Sequence, residues 1–76
     1  MKTLYLEKSV PSRNCQRYYR LDLSPDLFGR WVLCRAWGRI GRQACEMRQS
    51  FPERTAALAA LRRLYRQKRR RGYRLS

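Results

Sequence analysis

Residues 30–51 read RWVLCRAWGRIGRQACEMRQSF, and this run decides the fold. Its first half is rich in the β-branched and aromatic residues that suit a half-buried pleated surface. Two-residue alternation sends Trp31, Leu33, Arg35 and Trp37 to one side and Val32, Cys34 and Ala36 to the other. Glycines 38 and 41 in GRIG then reverse the chain, and residues 42–51 return as a second, less apolar strand. Cys45, Met47 and Phe51 follow the covered side of that strand. The face of Val32, Cys34 and Ala36 is the smaller and smoother one, so it is the face expected to take a helix.

Working toward the C-terminus, the period changes at Ser50. Ser50 with Glu53 three residues on spells a capping box, and Pro52 falls in the first turn, where its missing donor costs nothing. The following run sets Ala57, Leu58, Leu61, Leu64 and Tyr65 on one helical stripe. Gly72 ends the helix, and the basic residues before it suit the negative end of its dipole. YRLS, residues 73–76, is able to return as a short edge strand that docks Tyr73 and Leu75.

Working toward the N-terminus, CQRYYRLDL (15–23) alternates, with Tyr19, Leu21 and Leu23 on one face and Tyr18, Arg20 and Asp22 on the other. SPDLFG is a turn, with Pro25 ending the strand. Residues 3–8 form a first strand with Leu4 and Leu6 on one side, and residues 9–14 break the pattern. The expected architecture is α+β: one domain over residues 1–76, with about four antiparallel strands packed on one face by a single C-terminal helix.

Charge restricts the function. Nineteen basic residues face five acidic ones with no histidine, a net charge of +14, and all but three of the basic residues are arginine. A guanidinium presents a rigid donor fork to phosphate and stacks on bases, so the arginine bias favours contact over mere solubility. DNA is the first partner expected and RNA the second, with an acidic protein partner as the alternative. No membrane partner is expected, and the chain is expected to be a monomer. Three widely spaced cysteines without a CxxC pair or histidine imply free thiols, no metal site and a cytoplasmic location, nucleoid-associated if bacterial. The first residues hold too short an apolar run for a signal peptide.

The same composition disfavours catalysis. Glu7, Asp22, Asp26, Glu46 and Glu53 are scattered, and a cysteine nucleophile would have only arginine and lysine for a base. GRIG is too short for a nucleotide-binding glycine loop. No enzyme, catalytic residue or cofactor is expected.

Two basic groups stand out: Arg30, Arg35, Arg39, Arg42 and Arg48 around the hairpin, and residues 62–74, including Lys68, Arg69, Arg70 and Arg71. Spacing leaves open whether they form one patch. Trp37, placed directly before the glycine turn, is either a stacking platform for a base or sugar or a core filler beneath the sheet. Trp31 has no flanking turn and reads as core or semi-buried.

Trp37-Gly38-Arg39-Ile40-Gly41 resembles the signature of the WGR domain, a module also found in DNA-damage-activated poly(ADP-ribose) polymerases. Asn14 with Arg17-Tyr18-Tyr19, the strand from Trp31 to Arg35, Phe51, Leu61, Leu64, Lys68 and Gly72-Tyr73 extend the likeness over about residues 4–73. The resemblance implies an antiparallel sheet curved against one helix. It also implies DNA binding near a strand break, with Trp37 packing on a terminal sugar and Arg39 making a polar or phosphate contact. The chain departs from the family pattern after the signature, where Gly41 runs directly into Arg42-Gln43. These 76 residues hold no polymerase catalytic domain, so ADP-ribosylation is not expected of them.

Overall fold

The computed structural model describes residues 2–10 and 15–75. Of the pattern break expected over residues 9–14, Ser9 and Val10 are instead part of the first strand, and residues 11–14, with Asn14, lie outside the described residues. Five strands and one helix follow in the order β1 (Lys2–Val10), β2 (Cys15–Pro25), β3 (Trp31–Arg39), β4 (Cys45–Phe51), α1 (Arg54–Arg70) and β5 (Arg74–Leu75). The strands form one antiparallel sheet in the order β4-β3-β2-β1-β5. The α+β reading therefore holds, with the short return of residues 74–75 as the fifth strand. Strand β1 is longer than its alternating core suggests, pairing through Ser9 and Val10 with Gln16 and Cys15.

The register aligns side chains into rows that cross the sheet. Leu6, Tyr19 and Trp37 are neighbours, then Leu4, Leu21 and Arg35, then Leu23 and Leu33. This face carries the core. Leu6, Leu21 and Leu33 are fully buried, and Tyr19, Leu23, Ala57, Ala60, Leu61 and Tyr73 pack with them. Trp31, Trp37, Phe51, Leu58, Leu64 and Tyr65 close the rim.

The helix thus lies on the face of Trp31, Leu33, Arg35 and Trp37, not on the smoother face of Val32, Cys34 and Ala36. Burial is driven by the apolar area removed from water, and the leucines and tryptophans supply far more of it than valine, cysteine and alanine. Among the described residues, no helix covers the other face. It holds a stacked Tyr5–Tyr18 pair, ring centroids 5.8 Å apart, and an Arg20–Asp22 ion pair at 2.9 Å.

The helix start also differs from the expected capping box. Ser50 remains in β4 opposite Val32, where its hydroxyl accepts a 2.7 Å hydrogen bond from Arg30 Nε. Glu53 is the N-cap residue, and its carbonyl accepts the first helical bond from Ala57 without any side-chain cap. Pro52 precedes the helix.

Candidate nucleic-acid interface

The helix exit builds one side of the site. Arg71 caps α1, Gly72 adopts φ +99°, and Tyr73 N–H donates back to Lys68 O while Gly72 N–H donates to Arg69 O. These two bonds are the Schellman pattern, which needs a left-handed residue and gets glycine. The reversal drives Tyr73 into the core edge-on to Tyr19, centroids 6.3 Å apart. It also leaves Lys68 Nζ over the Tyr19 ring at 4.5 Å and over Tyr73 at 5.8 Å, and Lys8 reaches Tyr73 from β1 at 5.8 Å.

The β3 end builds the other side. Trp37 stacks on Tyr19 at 5.9 Å and 19°, so one indole face is occupied by the core while the side chain as a whole remains only partly buried. Gly38 follows with φ +159°, a backbone angle that side-chain-bearing residues rarely adopt, while the returning chain leaves room there, a Cβ being in ordinary contact at 3.4 Å from Gln43 O and 3.6 Å from Ala44 Cα. Gln43 and Ala44 thus run beside the strand end as the chain returns through Ile40, Gly41 and Arg42. The turn is further held by Arg42 N–H donating to Arg39 O and Ile40 N–H donating to Gln16 O.

One residue pair beyond the aromatic row, the register places Lys8, Arg17 and Arg39 side by side on β1, β2 and β3. Alternation directs all three to the helix side, as Lys8 over Tyr73 demonstrates. Adjacent strands lie about 4.8 Å apart, so three cations span about 10 Å. The acidic residues within the strands, Glu7, Asp22 and Glu46, alternate to the opposite face. Asp26 and Glu53 lie at the far end of the sheet, beside the starts of β3 and α1. The tip is therefore a cationic surface next to a partly open indole.

Electrostatics joins the helix exit to the hairpin strand. Burial of its ammonium lowers the Lys68 pKa below the ordinary lysine value, and the positive charges of Arg71 and Arg35 lower it further. Arg35 and Arg71 thus act on the same point from β3 and from the helix cap. Arg35 is partly buried and its guanidinium donates to Met47 Sδ. Arg39 and Arg42 are exposed around this centre, whereas Arg69 lies beside Gly72 and Arg74 and Arg70 lines a groove on the outer helix face with Arg63, Arg66 and Gln67. Arg30 is not brought there. It precedes β3 at the opposite end, about 30 Å of strand away from Arg39, with its backbone N–H donating to Asp26 Oδ1.

Spacing along the chain did not single out Lys8 and Arg17, which become neighbours of Arg39 only through strand register. The available signal was alternation: Lys8 shares a side with Leu4 and Leu6, and Arg17 shares a side with Tyr19.

The WGR domain profile matches residues 2–76. The chain belongs to the WGR domain family. That module is in general of a nucleic-acid-binding type. Among curated proteins, the chain is 46% identical over 71 residues to the uncharacterized protein y4dW of Sinorhizobium fredii (strain NBRC 101917 / NGR234). The match covers 93% of this chain and 35% of that protein, so this WGR domain spans about a third of its relative's length. No solved structure matches it. Among the described residues, no helix is long and apolar enough to cross a membrane.

Proposed function

We propose that this WGR domain binds DNA through backbone phosphates at a strand end or nick, without strong sequence preference. One observation carries the reading: a row of three cations, Lys8, Arg17 and Arg39, borders the Tyr19–Trp37 stack, and every strand carboxylate faces away. Lys68, Arg35, Arg42 and Arg71 ring the same place. Phosphate contacts of this sort position a polymer without reading its bases, and they make affinity fall steeply with salt. The free part of the Trp37 ring would pack on the exposed sugar or base of a terminus, which a continuous duplex does not offer. Arg30, at the other end of the sheet, has no part in this footprint.

The test is a salt-titrated comparison of closed, nicked and single-stranded DNA with RNA of the same length. Nicked or open duplex should bind best, and log affinity should fall linearly with log salt. Equal affinity for closed and nicked duplex would remove the end preference. Affinity no greater than for heparin of matched charge would remove DNA as the ligand. RNA binding as tightly as DNA would widen the ligand to nucleic acid in general, since only 2′-hydroxyl contacts separate the two.

A second reading, that of an accessory protein-binding module, is favoured by the β2–β3 turn. Leu27 and Phe28 are 97% and 87% exposed there. Asp26 Oδ1 holds the turn rigid by accepting from the N–H groups of Phe28 and Arg30 at 2.8 and 2.9 Å. This reading replaces the first if affinity stays at the heparin level while a co-purifying protein is lost from L27S/F28S.

A further inference from the structure

The outer face of α1 carries charge that the tip does not use. Ala57, Ala60 and Leu61 bury one side of the helix, and Leu64, Tyr65 and Lys68 are partly buried with them. The exposed side carries Arg62, Arg63, Arg66, Arg69 and Arg70, and the helix has no acidic residue. Arg63, Arg66, Gln67 and Arg70 line one shallow open groove. Their spacing of three, four and seven residues puts them on one face over about 10 Å of axis. No described hydrogen bond or ion pair engages the three guanidinium groups.

Such an array opposes helix formation. Like charges three and four residues apart destabilise a helix by a few tenths of a kcal/mol per pair, and here none is offset by a carboxylate. The helix dipole favours cations only in the last turn, which includes Arg70 but neither Arg63 nor Arg66. The arrangement becomes favourable once a regular row of anions runs along the helix. Three forked donors over about 10 Å span about three phosphate steps at about 3.4 Å of axial spacing along one strand, so each guanidinium can reach a phosphate of the same run.

We infer that the groove of Arg63, Arg66, Gln67 and Arg70 is a second phosphodiester-binding site, so that one molecule holds two DNA duplexes, one at the tip and one along the helix. The first duplex rests on the reading given under Proposed function; the second does not use Trp37 or the Lys8 row.

The test mixes the full chain with two short duplexes, one labelled with a fluorescence donor and the other with an acceptor. Energy transfer between them should appear with the wild type. R63Q/R66Q/R70Q should abolish it while changing affinity for a single duplex by less than about threefold, since the tip contacts are kept. Removing like-charge pairs should leave that variant at least as stable as the wild type, so loss of transfer cannot be blamed on unfolding.

Transfer that persists in the triple variant would overturn the inference. So would single-duplex affinity falling in step with transfer, which would mean one continuous footprint. A DNA-free dimer in sedimentation whose population tracks transfer would assign bridging to self-association instead. Polyglutamate displacing the second duplex as well as unlabelled duplex does would make the groove a site for acidic chains at large. Single-duplex binding without any transfer by the wild type overturns this inference alone. Absence of duplex binding overturns the tip reading as well.

Discussion

Trp31 and Trp37 occupy the same strand and the same face, six residues apart, and the fold gives them opposite surroundings. Trp31 lies at the helix start, with the Arg54 guanidinium 5.6 Å from its ring centre and Phe51 beside it in register. Glu53 and Asp26 are nearby in the fold, so the field there is mixed. Trp37 lies at the helix exit, stacked on Tyr19 and bordered by Lys8, Arg17 and Arg39 with no strand carboxylate on its side. Residue type alone therefore assigns neither role. What separates them is which end of the sheet receives the C-terminus of the helix.

The sharpest way to break this contrast is to remove the cation row. K8Q/R17Q/R39Q should lower DNA affinity by about two orders of magnitude at low salt and make the slope of log affinity against log salt shallower by about 3. An unchanged slope would place the phosphates elsewhere. Next comes the tryptophan pair itself. Trp37→Ala should cost about 1–3 kcal/mol of binding. Trp31→Ala should leave binding within about twofold while lowering folding stability by about 2 kcal/mol, read by denaturant titration. If both variants lost binding equally, the two ends would not be distinct.

A smaller effect sharpens the helix-exit side. Lys68 has a pKa below the ordinary lysine value, because burial and then the charges of Arg71 and Arg35 disfavour its proton. DNA binding should therefore weaken as pH rises through that lowered value, before ordinary lysines titrate, and Lys68→Arg should flatten the profile. Folding should respond with the opposite sign. Below the lowered value both folded and unfolded chains hold the proton, and the cost of burying the charge is fully present. Between the lowered and ordinary values the unfolded chain binds more protons, so stability should rise with pH in that window. Smallest of all, Arg30→Gln should leave the salt slope unchanged and remove only the bond to Ser50.

Much of this fold is legible in the amino-acid order, because its cues are local. Alternation over residues 15–23 and 31–37, glycines at the reversal and a 3.6-residue stripe from Ala57 to Tyr65 each point to the element that forms. Smoothness does not select the covered face of β3, because apolar area does: Leu33 is fully buried on the rougher side. The capping box failed because Ser50 has a competing partner in Arg30, twenty residues away. The site follows the same division. Trp37 and Arg39 announce themselves by the glycine turn and the family signature. Lys8 does not, and Arg17, though part of the family likeness, is not tied to Arg39 by it, since the approach of all three depends on pairing three strands that are distant along the chain.

The indole–phenol stack at Trp37 also gives the molecule its own optical readout. Only two residues dominate its near-ultraviolet emission, and they sit at opposite poles. A ligand arriving at the tip should alter the quantum yield of one chromophore and leave the other as an internal reference. In the Trp31→Phe background, titration could thus be followed on unlabelled protein, and the lifetime of the remaining emitter would report whether the ring meets a nucleobase or only nearby charge.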